Sequence, residues 1–205
     1  MKKFTFKGKK VIIFDLDGTI VRLSADWNSL KNMIEENYVE IYGERGEFNR
    51  ISAYLNDIVD KKDEMNLKKF FNIIKRYELE NIKETQPIEE TLFFIKNKGK
   101  FGVEKGTKLA ILSLNTRTTI LESLKLVSLM EQIDYIIGRE DVRKWKPNPE
   151  GLFKIQDHYK IKKEEMIFFG DLQNDIQTGE RAGIDTFFID DLINLVKIYK
   201  KNRNI

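Results

Sequence analysis

The chain sets four apolar residues in a row, Val11-Ile12-Ile13-Phe14, directly before a pair of acids in Asp15-Leu16-Asp17-Gly18-Thr19. A strand-length run that is apolar at every position has no polar face to turn to water, so it predicts a strand covered on both sides. Strands of that kind belong to parallel sheets, and the pattern recurs at 109–112, 133–137, 166–169 and 186–189. Helical spacing separates most of these runs, over 88–98, 118–130, 149–159, 174–182 and 192–201. The expected fold class is α/β, a parallel sheet core with helices on both faces.

Residues 21–87 break the alternation, and no strand is expected there. Trp27, Leu30, Ile34, Tyr38 and Ile41 fall at helical spacing, as do Ile51, Leu55, Ile58 and Val59, and then Leu67, Phe70, Phe71, Ile74 and Tyr77. This predicts a bundle of three or four helices, with its clearest internal loop at 43–46. Trp27 and the other spaced aromatics read as the core of that bundle. The expected organisation is a discontinuous Rossmann-like core, 1–20 and 88–205, with an inserted α-helical cap at 21–87.

Composition narrows the chemistry. The chain has no cysteine, which excludes disulfides, a thiol nucleophile and zinc–thiolate sites, and it has one histidine, His158, on a predicted helix surface. Chemistry therefore falls to carboxylates, hydroxyls and lysines. Although 34% of residues are charged, the formal net charge is only +3 and the signs are interleaved, unlike the concentrated basic face of a nucleic-acid binder. The basic end formed by Lys197, Lys200, Lys201 and Arg203 suits a helix C-terminus. No apolar run is long enough to span a bilayer, and the first is too short for a signal peptide. A soluble, cytoplasmic protein with no nucleic-acid or membrane partner is the expectation.

Four constellations can carry chemistry. In the first, Asp15 and Asp17 follow a buried strand, and ligands bind beyond the carboxyl ends of parallel strands. Two carboxylates ~4 Å apart repel by about 4 kcal/mol at an effective dielectric of ~20. A divalent cation held by oxygen ligands is the usual compensation, although a polar turn ending a strand is the plain alternative. The second, Met166-Ile167-Phe168-Phe169-Gly170-Asp171-Leu172-Gln173-Asn174-Asp175, again ends a strand in an acid, with a second acid at the first turn of the next helix. Asp175 can equally be a simple helix cap. The third is Ser113-Leu114-Asn115 after the 109–112 strand, where the hydroxyl and the following amides can bind phosphate oxygens. The fourth, Arg143-Lys144-Trp145-Lys146-Pro147-Asn148-Pro149, holds Lys146 extended before a helix, where it either neutralises a phosphoryl group or is solvated.

Taken together and in this order, the four resemble the haloacid dehalogenase-like hydrolase superfamily, in particular phosphoglycolate-phosphatase-like members with a helical cap after the first motif. Asp15-Leu16-Asp17-Gly18-Thr19 matches the first motif, Ser113 the second, Lys146-Pro147 the third, and Gly170-Asp171 with Asp175 the fourth. Thr178-Gly179-Glu180-Arg181-Ala182-Gly183 resembles the helix that follows. Leu114 stands where many relatives carry Asn. The resemblance implies a Mg²⁺-dependent phosphatase of a small phosphorylated metabolite, with Asp15 as nucleophile, Asp17 as general acid and base, and Lys146 as charge stabiliser. It implies metal ligation by Asp15, Asp171, Asp175 and the backbone carbonyl of Asp17, and phosphoryl binding at Gly18, Thr19, Ser113, Leu114 and Asn115. Arg22, Arg45, Arg50 and Arg117 are candidates for a second anionic group of the substrate, with plain solvation as the alternative for each. A phosphomutase using the same Asp15, and a non-catalytic metal-binding or regulatory module, are the competing functions.

Overall fold

The computed structural model describes residues 4–43 and 48–203. The chain runs β1 (Val11–Phe14), β2 (Val21–Arg22), α1 (Trp27–Tyr42), α2 (Ile51–Asp60), α3 (Glu64–Glu80), β3 (Gln86–Pro87), α4 (Glu89–Lys96) and β4 (Lys108–Leu112). It continues through α5 (Arg117–Leu126), β5 (Tyr135–Ile137), α6 (Glu150–Tyr159), β6 (Met166–Gly170), α7 (Gln173–Ala182), β7 (Asp185–Phe188) and α8 (Ile189–Lys201). Five strands form one parallel sheet in the order β5-β4-β1-β6-β7. β1 lies at its centre, and each of its side chains is at most 1% exposed. Side chains alternate across a strand, so Val11 and Ile13 join one apolar cluster while Ile12 and Phe14 join the other. This is why an unbroken apolar run was needed.

The helical region has local causes too. Asp26 caps α1 by accepting from the amides of Asn28 and Ser29, and Asp63 caps α3 through the amide of Asn66. Leu30, Ile34 and Tyr38 of α1 are buried with Tyr54, Leu55 and Ile58 of α2 and Leu67, Phe70 and Ile74 of α3. Their cluster is continuous with Val11, Ile13, Leu112 and Trp145 of the sheet side, and the Phe71 and Trp145 rings meet edge to face, with centroids 6.2 Å apart. Among the described residues three α-helices fill this region; most of the predicted 43–46 loop lies outside them.

Several boundaries differ from expectation. A short antiparallel ribbon pairs β2 with β3, where no strand was expected. Two residues per strand are too few to show a period. The ribbon, with the Ile88 amide on the Ile20 carbonyl at 3.0 Å, brings the two ends of the helical segment together. β5 starts at Tyr135 rather than at 133, because the Asp134 carboxylate takes the Leu109 amide at 2.9 Å. β7 ends at Phe188, and Ile189, expected as its last residue, opens α8. No described helix is long and apolar enough to cross a membrane.

Candidate active site

Because β4, β1 and β6 are adjacent and parallel, their carboxyl ends emerge side by side and bring Ser113, Asp15 and Asp171 together. Asp15 is buried, and its amide is anchored on the Phe169 carbonyl at 2.9 Å. Its carboxylate accepts from the Leu16 amide at 2.7 Å and faces the Lys146 ammonium at 2.8 Å. Lys146, only 4% exposed, also pairs with Asp175 at 2.6 Å. The loop carrying it is pinned by Trp145, whose indole N–H donates to the Arg139 carbonyl at 2.9 Å.

Asp15, Asp171 and Asp175 each present a carboxylate oxygen within 4.8 Å of the others. Two glycines permit this crowding. A Cβ on Gly18, which has φ +72°, would stand 2.2 Å from Asp171 Oδ2, and one on Gly170 would stand 2.3 Å from Asp175 Cγ. Burial, reinforced by the charges of Asp15 and Asp175, pushes the Asp171 carboxyl up to about 7. Burial also pushes Asp15 up to about 6, against the pull of Lys146. Burial opposes the Lys146 charge, but Asp15 and Asp175 more than offset it and hold that ammonium raised. Three carboxylates thus face one ammonium, and Oδ1 of Asp171 is buried without any hydrogen-bond partner. An all-oxygen donor set short of positive charge fits a hard divalent cation such as Mg²⁺.

The second acid of the first motif sits apart from this cluster. Asp17 Oδ1 accepts from the Leu23 amide at 2.8 Å and Oδ2 from the Trp27 indole at 3.0 Å. Burial raises its pKa. Ser113 donates to Asn115 Oδ1 at 2.9 Å. A pocket of about 160 Å³ is lined by Asp15, Asp17, Trp27, Ser113, Leu114, Asn115, Asp171 and Leu172. Larger grooves, of about 720 and 590 Å³, run over the outer faces of α1 and α3 and touch none of these acids.

The structure corrects several expectations. Thr19 is wholly buried, with its hydroxyl unpartnered and outside the pocket lining. The Gly18 and Thr19 amides close the turn, donating to the Val21 carbonyl at 2.7 Å and the Leu16 carbonyl at 3.2 Å, so neither is free for a phosphoryl oxygen. The Asp17 carboxylate stands outside the cluster of Asp15, Asp171 and Asp175, which leaves its backbone carbonyl, the atom named from the sequence, as its candidate metal ligand. Trp27 belongs to the pocket rather than only to the bundle core; a tryptophan at the very start of a helix, beside Asp26, was the available signal. The Arg117 guanidinium turns to the Ile136 carbonyl and Asp141, at 2.9 and 3.0 Å. Arg22 lies exposed on the β2 ribbon, and Arg45 lies outside the described residues. Among the described arginines Arg22, Arg50 and Arg117, Arg50 is the one that meets the segment after β6, at 3.5 Å from Asn174 Oδ1, one residue before Asp175. His158 is exposed and stacks on Tyr135, with ring centroids 3.8 Å apart.

Comparison with known proteins agrees with this geometry. The haloacid dehalogenase-like hydrolase family model matches residues 12–189. The chain is 32% identical over 177 residues to pyrophosphatase PpaX of Halalkalibacterium halodurans, covering 85% of this chain and 80% of that protein. It is 28% identical over 184 residues to phosphoglycolate phosphatase of Aquifex aeolicus, covering 86% and 83%. Among solved structures, a haloacid dehalogenase-superfamily hydrolase of Geobacter sulfurreducens shares the fold with a TM-score of 0.55 at 20% identity, over 87% of this chain and 88% of that one. With its parallel sheet, its acids at the ends of β1 and β6 and these relatives, the chain belongs to the haloacid dehalogenase-like hydrolase family, as an enzyme of the phosphatase type.

Proposed function

We propose that the chain is a Mg²⁺-dependent phosphatase that hydrolyses a small phosphomonoester through an aspartyl-phosphate on Asp15. The observation that carries this reading is the meeting of Asp15, Asp171 and Asp175, with Lys146 paired to Asp15 and Asp175, where Asp15 and Asp171 line one small pocket. An Asp15 oxygen attacks phosphorus, and the bond from phosphorus to the leaving oxygen breaks as Asp17 supplies that oxygen's proton. Water then attacks the same phosphorus, Asp17 takes the water's proton, and the bond to Asp15 breaks to release phosphate. Burial raises the pKa of Asp17, the direction that favours a group acting first as a proton donor.

Asp15, Asp171, Asp175 and the Asp17 backbone carbonyl would hold Mg²⁺, whose chemistry is to offset the charge of an anionic nucleophile meeting an anionic substrate. Lys146 holds Asp15 in place from below, and Ser113 with the amides at Leu114 and Asn115 would receive phosphoryl oxygens. Residues 21–87 act as a cap over the site. In support, Trp27 of α1 lines the pocket, and Arg50, just before α2, reaches towards Asn174 of α7. A pocket of about 160 Å³ is below the ~300–1,000 Å³ of ordinary ligand sites, which favours a phosphoryl group with few further atoms. Phosphoglycolate and pyrophosphate, named for relatives, head the substrate panel.

The test is phosphate release from an aryl phosphate and from that panel. Release that needs Mg²⁺, stops with EDTA and is lost in Asp15→Asn is expected. Turnover that survives Asp15→Asn would remove the nucleophile assignment.

A further inference from the structure

Helix α3 carries a carboxylate on its apolar stripe. Leu67, Phe70, Ile74 and Glu78 succeed one another at spacings of three and four and are all buried, Glu78 to 3% exposure. A charge in such a place persists only if it is fully hydrogen-bonded. Every partner recorded for Glu78 comes from the segment after β4. Oε1 accepts from Asn115 Nδ2 at 3.0 Å. Oε2 accepts from the Thr116 amide at 2.9 Å, the Thr116 hydroxyl at 2.7 Å and the Thr119 hydroxyl at 2.8 Å. Thr116, at the N-cap of α5, makes no side-chain capping bond of its own, so Glu78 does this from another helix, with its charge at the favourable end of the dipole. Arg139, 4% exposed, lies near enough for the Glu78 charge to support its buried guanidinium against desolvation.

These contacts have a direction. A carboxylate only accepts, so Asn115 must present Nδ2 to Glu78. Its Oδ1 then faces away and accepts the Ser113 hydroxyl at 2.9 Å, while the Asn115 amide donates back to Ser113 Oγ at 3.2 Å. The Ser113 proton is thereby held on Asn115, although Ser113 lines the phosphoryl pocket. A phosphoryl oxygen, which needs a donor, must compete with Asn115 for that proton.

We propose that Glu78 is a positioning residue that, through Asn115, holds the Ser113 hydroxyl proton away from the phosphoryl pocket and so sets how loosely phosphate is bound. A glutamine in its place keeps the shape and can still accept at Thr116 and Thr119. Its amide nitrogen, however, turns the Asn115 side chain over, so that Nδ2 donates to Ser113 Oγ and the Ser113 proton is freed for phosphate. The inference rests on the reading of Ser113 as a phosphoryl ligand.

The experiment is calorimetric binding of inorganic phosphate to the full chain with Mg²⁺, for wild type, Glu78→Gln, Ser113→Ala and the double variant. Glu78→Gln is expected to bind phosphate roughly fivefold more tightly, the worth of about one neutral hydrogen bond. Ser113→Ala is expected to change the affinity little, because the hydroxyl proton is already held on Asn115, and the double variant to match Ser113→Ala. A purely structural Glu78 predicts unchanged or weaker binding in Glu78→Gln, and that result overturns the proposal. So does tightening that persists in the Ser113→Ala background, which would mark a field effect of the lost charge. A marked loss of affinity in Ser113→Ala would show that the hydroxyl already donates to phosphate in the wild type, and that also overturns the proposal. Should Glu78→Gln not fold, Asn115→Ala decides: it removes the acceptor of the Ser113 proton, so tighter phosphate binding supports the proposal and weaker or equal binding overturns it.

Discussion

At the scale of single residues, the division between Asp15 and Asp17 is a matter of neighbours. Both are aspartates at the end of one strand, yet Asp15 faces an ammonium and two carboxylates, while Asp17 is held by an amide and an indole. A group that carries a proton needs a defined orientation and little competing charge, and Trp27 supplies the first. Trp27→Phe keeps the ring against the pocket and removes only the N–H. Its kcat is expected to fall roughly fivefold with little change in thermal midpoint, since one neutral hydrogen bond contributes about 1 kcal/mol. A steady-state assay beside a melting curve checks this. Spacing identified both acids in the sequence, but their separate environments were not legible there, because Leu23 and Trp27 reach Asp17 only after the chain has turned back through β2.

At the scale of elements, the sheet depends on side chains that stand in for backbone. Asp134 pins β5 to β4 by accepting the Leu109 amide at 2.9 Å and pairing with Lys108 at 2.7 Å. Burial raises its pKa, but the Lys108 and Leu109 contacts outweigh that and leave it lowered. A carboxylate with a lowered folded pKa stabilises above its unfolded value, and that contribution is lost as pH falls through the folded one. Asp134→Asn is therefore expected to cost about 1–2 kcal/mol near pH 7 and to match wild type in strong acid. Denaturant titrations at the two pH values test it. The strand itself was legible as an apolar run; its start was not, because hydropathy does not register a carboxylate bonding to the neighbouring strand. Glu78 teaches the same at α3, where a charged residue on a buried stripe was the one visible sign of a contact 38 residues away along the chain.

At the scale of the whole molecule, the helical segment and the sheet share one apolar cluster, so the two are expected to unfold together. The chain has two tryptophans, Trp27 in the helical segment and Trp145 in the core. Their fluorescence and far-UV circular dichroism should trace a single transition, and two separated midpoints would contradict a shared core. Mg²⁺ should raise that midpoint, by the equivalent of about 2.7 kcal/mol at a hundredfold excess over its Kd, and Asp171→Asn should abolish the shift. The sequence by itself determined the α/β class, the strand at 11–14 and the acids that follow β1 and β6, because local hydropathy and residue chemistry encode them directly. Tertiary structure alone decided that the Gly18 and Thr19 amides close the turn, that Trp27 lines the pocket, that Glu78 bonds to Asn115 and that Arg50 meets Asn174. Each of those depends on which distant segment packs against which, and the direction of a hydrogen bond exists only once both partners have been brought together.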